Sequence, residues 1–173
     1  MVGESVFWGA LALCGVCDVR SFRVPNRLLA VCFLAGLWQA ARAGTAFDPG
    51  GAAAYLVRAG LTALVFFPFC VLKMTGAGDG KTAAVIVGRL GFMAGAEALA
   101  AGFVLGAVLA LGRLLRDGSA YSRFRYLYAY IGQMISQKKK IPYYDRERYG
   151  RGCVIPLGAC LCAGAALTAA GFL

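Results

Sequence analysis

Long apolar stretches separated by short polar segments run through the whole of this chain. They cover residues 6–17, 28–41, 52–72, 82–93, 96–115 and 153–173. Several approach the roughly 20 residues that a helix needs to cross the hydrocarbon core of a bilayer. Backbone groups in lipid must satisfy their hydrogen bonds internally, so such stretches predict α-helices. The pattern predicts an all-α, polytopic membrane protein that forms a single membrane-embedded domain over residues 1–173.

The apolar region from residue 82 to residue 115 is too long for one membrane helix and short for two. If it crossed the membrane only once, the basic segment after Arg113 would face the side opposite Lys81. We therefore predict a short fourth helix, a break around Gly91–Gly95 and a fifth helix. This division gives six transmembrane helices.

The basic residues are distributed unevenly over this layout. The chain is 60% hydrophobic and carries 18 Lys and Arg against 8 Asp and Glu, a formal net charge of +10 without histidine. With the N-terminus outside, only Arg42, Arg58 and Arg89 face outward and all other basic residues face the cytoplasm. The positive-inside rule favours this orientation. The charge thus indicates a multi-pass protein of the inner (cytoplasmic) membrane and not a nucleic-acid partner.

The one sizeable polar segment covers residues 113–152. Apolar side chains such as Phe124, Tyr128 and Ile131 recur in it at helical spacing, which predicts an amphipathic helix on the cytoplasmic leaflet. The three lysines at 138–140 follow and are suited to anionic lipid headgroups.

Asp18 lies at the end of the first apolar stretch, in a chain with few acidic residues. A carboxylate at the edge of hydrocarbon is costly and usually has a function. Pro25 forces Val24 out of the helical region, so the first helix must end before it. Asn26 is a good N-cap for the helix that follows. The predicted result is a short cytoplasmic turn beside Asp18.

Asp79 lies in the second polar cluster, which runs from Gly76 through Gly78 to Lys81. The glycines permit unusual backbone angles and a close approach of the backbone. Asp79 falls at or just before the start of the fourth helix, where free N–H groups favour its ionised form. An ordinary inter-helix loop with aspartate as N-cap explains this cluster equally well when it is taken alone.

The two clusters together resemble the type IV prepilin peptidase family, which consists of integral-membrane aspartic proteases. The shared features are Asp18 followed at a distance by Val24, Pro25 and Asn26, and the GxGDxK sequence at 76–81. The last apolar stretch also opens with an Ile-Pro sequence at 155–156, like the final helix of the family. The resemblance covers nearly the whole chain.

The resemblance implies that Asp18 and Asp79 form a catalytic dyad and that Pro25, Asn26, Gly76, Gly78 and Lys81 shape the site. It implies a substrate of the prepilin or pseudopilin type, cut behind a short basic leader at the cytoplasmic membrane face. No metal or organic cofactor is implied. Larger members carry a cytoplasmic domain with paired CxxC motifs and N-methylate the product. Residues 19–26 leave no room for it, so we expect peptidase activity alone, as in short members that serve tight-adherence (Flp-type) pili.

Two carboxylates in contact resist joint ionisation, which suits them to acid–base chemistry on water. The alternatives are a small transporter or channel that uses the same aspartates as proton or cation sites, and a purely structural membrane subunit. A transporter would need acidic residues staged across the bilayer, whereas here both key acids fall on one side. The oligomeric state and the pilus or secretion system are not indicated by the sequence.

Overall fold

Six α-helices form the described part of this computed structural model, which comprises residues 2–43, 50–72, 75–116 and 155–172. They are α1 (Val2–Ser21), α2 (Asn26–Ala43), α3 (Gly50–Val71), α4 (Ala77–Leu90), α5 (Phe92–Arg116) and α6 (Leu157–Ala169). No strand occurs among these residues, so the all-α prediction is confirmed for them. Most of the predicted amphipathic segment, from residue 117 to residue 152, lies outside the described residues.

The chain divides into two compact parts. One comprises Met1–Gly106 with Pro156–Leu173, and the other comprises Ala107–Ile155. The first contains α1 to α4, most of α5 and all of α6, and the described portion of the second is the end of α5 with Ile155. A single domain over residues 1–173 stays a prediction.

α4 is the central helix of the first part. It packs against α2, α3 and α6, and every residue from 82 to 88 is buried. Five of these seven positions are valine, alanine or glycine, and small side chains let neighbouring helices approach closely. Larger side chains from the neighbouring helices complete the core around it: Phe7, Leu11, Leu29 and Leu161.

α3 and α5 keep much of their apolar surface on the outside. In the stretches Gly51–Val71 and Phe92–Arg113 only 11% and 22% of the most apolar window is buried. Leu64, Val65 and Phe67 of α3 are between 62% and 65% exposed. An apolar surface of this extent is unfavourable in water and suits contact with hydrocarbon. These two helices are long and apolar enough to cross a membrane.

The prediction of six transmembrane helices is wrong in number, because only α3 and α5 meet the length and hydropathy expected of a span within the described ranges. α4 and α6 have 14 and 13 residues. They are therefore about 20 Å long, against a hydrocarbon core of about 30 Å. α1 and α2 carry charged side chains towards both ends, which lowers their hydropathy.

The predicted break between the fourth and fifth helices is confirmed at Gly91. α4 ends at Leu90, and the N–H of Gly91 donates to the carbonyl of Val87 at 2.9 Å. Gly91 has a φ of 92°, a conformation that L side chains rarely adopt. α5 then begins at Phe92, so α4 and α5 are joined by a single glycine.

Candidate active site

Asp18 is buried near the C-terminal end of α1, with 6% of the residue exposed. The helix ends at Ser21, whose hydroxyl donates to the carbonyl of Cys17 at 2.7 Å. Phe22 follows in the left-handed region with a φ of 51°, and its N–H donates to the Asp18 carbonyl at 2.8 Å. A left-handed residue is a common helix end. The turn predicted from Pro25 is therefore present and begins at Phe22, one helical turn after Asp18.

Asn26 has a different role from the one predicted. The carbonyl of Pro25 accepts the N–H groups of Leu28 and Leu29 at 3.1 and 3.2 Å, so Pro25 holds the N-cap position and Asn26 is the first helical residue. The Asn26 N-cap prediction is wrong by one residue. Its side-chain oxygen Oδ1 instead accepts from Nζ of Lys81 at 3.0 Å, which ties the start of α2 to the start of α4.

Asp79 is the third residue of α4 and is partly buried. Gly76 is the N-cap in an extended conformation, and its carbonyl accepts the Asp79 N–H at 3.0 Å. The N–H of Gly76 donates in return to the Asp79 carboxylate. Gly76 therefore caps α4 through its main chain alone, without a side-chain hydrogen bond of its own. Gly78 of the second cluster packs against Val24 of the first, since a Cβ added at residue 78 would lie 3.6 Å from Cβ of Val24.

The N-terminus of α6 joins the two aspartates. The N–H of Ala159 donates to Oδ2 of Asp18 at 3.0 Å. The N–H of Gly158 faces the carboxyl groups of both Asp18 and Asp79. These N–H groups belong to the first turn of α6, where no intrahelical carbonyl is available to accept them. Three separate helices thus bring both carboxyl groups within reach of one backbone donor.

Gly158 packs closely against the side chains of Asp18 and Val24. A Cβ atom at residue 158 would lie 3.0 Å from Oδ2 of Asp18 and 3.2 Å from Cγ2 of Val24. Both distances are shorter than ordinary van der Waals contact. A larger residue at 158 would require the Asp18 carboxylate, the Val24 side chain or the first turn of α6 to shift by a few tenths of an ångström.

The two carboxyl groups have different electrostatic environments, and both lie outside the two spans of α3 and α5. Burial raises the pKa of Asp79 to about 6, and the nearby Asp18 charge adds to the effect, while the N–H groups of Gly76 and Gly158 oppose it. Burial also raises the pKa of Asp18, against the N–H groups of Ala159 and Gly158. The helix N-terminus was expected to favour ionised Asp79, but burial and the Asp18 charge outweigh it.

The structure therefore brings together the predicted residues of both clusters. The N–H of Gly158 lies near the carboxyl groups of both Asp18 and Asp79, and Lys81 donates a hydrogen bond to Asn26. Sequence analysis missed Gly158 and Ala159 as site residues, because they contribute backbone N–H groups and no reactive side chain. Pro156 directly before α6 was the available signal, since proline is common where a helix begins.

The sequence matches the family model of the type IV leader peptidase family over residues 5–111, well over half of the chain. The chain belongs to this family. As a type IV leader peptidase it is a protease of the prepilin leader peptidase type. No curated protein and no solved structure matches it. The matched range contains both aspartate clusters of this leader peptidase but not α6, so the contribution of Gly158 and Ala159 comes from the structure alone.

No group of three or more His, Cys, Asp or Glu suited to a metal occurs among residues 2–43, 50–72, 75–116 and 155–172. The expectation of a cofactor-free site stays a prediction.

Proposed function

We propose that this chain is an aspartic endopeptidase in which Asp18 and Asp79 activate a water molecule against a peptide bond. The observation that supports it best is the backbone N–H of Gly158, which lies against both carboxyl groups. Two acids that share one donor are close enough to share a water as well. Their different environments separate their pKa values, which is how a pair of carboxyl groups divides the roles of acid and base.

In this proposal Asp79 holds the proton and Asp18 is ionised. Asp18 takes a proton from the water, and the water oxygen forms a bond to the scissile carbonyl carbon. The proton on Asp79 hydrogen-bonds the carbonyl oxygen as negative charge develops there. When the C–N bond breaks, the leaving nitrogen takes the proton that Asp18 removed from water. The α6 N–H groups favour the ionised form of Asp18 before the water is deprotonated, and they orient its carboxyl group.

The proposed substrate is a prepilin or pseudopilin with a short basic leader and an apolar helix. A groove of about 400 Å³ between α1 and α6 supports this, since it ends at Ala159, whose N–H is bonded to Asp18. Its walls include the small residues Ala12, Gly15 and Ala163. Small residues allow close packing of a membrane helix. The protein would lie in the cytoplasmic membrane with its N-terminus outside and the dyad at the cytoplasmic face.

Co-expression of a candidate prepilin with the wild type, Asp18→Asn and Asp79→Asn tests the proposal. We expect leader removal by the wild type and a loss of at least about 1,000-fold in each variant, because removal of either carboxyl group removes the base or the acid. Immunoblotting measures the ratio of mature to precursor protein. Glu97→Gln is the matched control, since it neutralises an exposed carboxyl group on α5.

Processing that survives in both aspartate variants would overturn the proposed dyad. A wild type that never processes a prepilin, combined with proton or cation flux that is lost in Asp18→Asn and Asp79→Asn, would support the transporter instead.

A further inference from the structure

A second polar site lies at the end of the helices opposite the aspartates. α1 carries Asp18 near one end and Glu4 near the other, and α4 carries Asp79 near one end and Arg89 near the other. Each of these helices therefore contributes one residue to the aspartate site and one to the opposite end. An open pocket of about 1130 Å³ occupies that opposite end, and α1, α2, α3 and α4 all contribute to its walls.

This pocket is lined by the three basic residues that are predicted to face outward: Arg42, Arg58 and Arg89. Glu4 is the one acidic residue among its described lining residues, so their formal charge is +2. Arg89 donates from Nη2 to Glu4 at 3.2 Å and to Gln39 at 2.9 Å. The carboxylate of Glu4 therefore neutralises only one of the three guanidinium groups.

Arg58 and Arg42 are held in place without a described carboxylate partner. Arg58 donates from Nε to the carbonyl of Ala54 at 3.1 Å, which orients the guanidinium group and leaves its two terminal nitrogens for another acceptor. The guanidinium carbon of Arg42 stacks 4.5 Å from the ring centre of Trp38. Stacking occupies the face of the guanidinium plane and leaves its N–H edge available.

Two buried polar atoms of the pocket's lining residues are unsatisfied. The hydroxyl of Tyr55 and Nε of Arg89 have no hydrogen-bond partner in the described part of the protein. Tyr55 is only 1% exposed. Unpaired buried donors are rare and costly, and a bound acceptor is a common explanation for them.

We propose that this pocket binds a phosphate group, either in the headgroup of an anionic phospholipid or as free phosphate. Phosphate oxygens match the planar donor edge of arginine, and several guanidinium groups around one anion make charge-assisted hydrogen bonds. Trp38 is 57% exposed beside Arg42, and aromatic side chains of this kind concentrate at the headgroup level of membranes. The proposal is independent of the aspartate dyad and of any peptidase activity.

Fluorescence of Trp38 measures this binding directly. The chain has two tryptophans, so Trp8→Phe leaves Trp38 as the sole reporter in the purified full-length protein in uncharged detergent. The probes are dihexanoylphosphatidylglycerol and inorganic phosphate, with dihexanoylphosphatidylcholine as a lipid of zero net charge. We expect saturable binding of phosphatidylglycerol or phosphate, and at least tenfold weaker binding of phosphatidylcholine.

Two variants in this background test the arginines. Arg58→Gln and Arg42→Gln should each weaken binding by about tenfold, the effect of one lost charge-assisted hydrogen bond. Arg27→Gln is the matched control, because it removes the same charge from the exposed start of α2 and should leave the affinity unchanged. Arg42 is exposed, so its variant keeps the test valid should Arg58→Gln fold poorly.

Competition identifies the source of the phosphate. Displacement of phosphatidylglycerol by inorganic phosphate supports a site for the free anion, and binding that phosphate leaves unaffected supports a lipid headgroup. The absence of saturable binding for both probes would overturn the proposal, as would equal affinities in Arg42→Gln, Arg58→Gln and Arg27→Gln.

Discussion

Asp18 and Asp79 differ at the residue scale although both are acids close to a helix end: Asp18 is buried and Asp79 is partly buried. Asp18 accepts from the first turn of α6, including the 3.0 Å bond from Ala159, whereas Asp79 accepts from its own N-cap Gly76. The Asp79 pKa of about 6 makes this residue the one that retains a proton. Adjacent acids with unequal environments provide an acid and a base from the same residue type.

The pH dependence of cleavage follows from these environments. We expect the rate to require protonated Asp79 and ionised Asp18. kcat/KM should therefore fall as the pH rises above about 6, where free Asp79 loses its proton. It should also fall at acidic pH, at a value above the usual range of an aspartate, because burial raises the pKa of Asp18. Initial rates of leader removal from pH 4 to pH 9 measure both limbs, and a rate that still rises between pH 6 and pH 8 would contradict the assignment.

Gly158→Ala should impair the site without unfolding the protein. The added methyl group meets Asp18 Oδ2 at 3.0 Å, and the shift that this contact requires should weaken the hydrogen bonds from α6 to the carboxyl groups. We expect kcat to fall by about 10- to 100-fold, because the charged form of Asp18 loses backbone donors. The acidic limb of the pH profile should move to higher pH, a change that a general packing defect would not cause.

Gly9→Ala is the control for this substitution, since a Cβ there has open space within 4 Å. An unchanged pH profile in Gly158→Ala, or an equal loss of activity in Gly9→Ala, would count against the positioning role of Gly158.

At the element scale, the first turns of α2, α4 and α6 meet at the aspartate site. The bond between Lys81 and Asn26 is the one direct side-chain link described between α2 and α4 at this end. Both residues are exposed, so we expect it to contribute to geometry more than to stability.

A double-mutant cycle with Lys81→Met and Asn26→Ala isolates this link. Each single variant should reduce the cleavage rate by about 3- to 10-fold. The double variant should cleave about as fast as the slower of the two single variants, because both substitutions break the same bond. Rate measurements on the four proteins give the coupling energy. Independent, multiplying effects of the two substitutions would show that the bond does not matter for activity.

Much of the helix arrangement was predictable because its signals are local. Pro25 and Gly91 dictate backbone angles that end helices, and the structure has a helix boundary at each of them. The meeting of α6 with Asp18 was not predictable in this way. It depends on main-chain N–H groups of Gly158 and Ala159, which every residue except proline possesses. The six-span prediction was not met because the apolar stretches form helices of different lengths: α4 and α6 have 14 and 13 residues, and only α3 and α5 among the described helices are long and apolar enough to cross a membrane.

At the scale of the whole molecule, the aspartate site lowers the stability of the fold near neutral pH. Asp79 binds its proton more tightly in the folded state than in the unfolded chain, where its pKa is near 3.8. The folded state therefore loses stability as the pH rises from about 4 to about 6, by at most about 3 kcal/mol, and the loss persists above that range.

Asp79→Asn should consequently be inactive and yet more stable than the wild type above pH 6. The difference in Tm should amount to a few degrees at pH 7.5 and shrink towards zero at pH 4. Thermal unfolding in detergent at both pH values measures it, with Glu97→Gln as the control. A variant that is less stable than the wild type at pH 7.5 would show that the ionised Asp79 is stabilised by its surroundings.

The short length of α4 has a consequence at the end opposite the aspartates. With 14 residues α4 is about 21 Å long, some two-thirds of the hydrocarbon thickness, and it packs against the longer helices α2 and α3. Those neighbours extend past its C-terminal end, and the arginine-lined pocket lies there beside Gly88 and Arg89. One further helical turn at this end of α4 would fill part of that pocket.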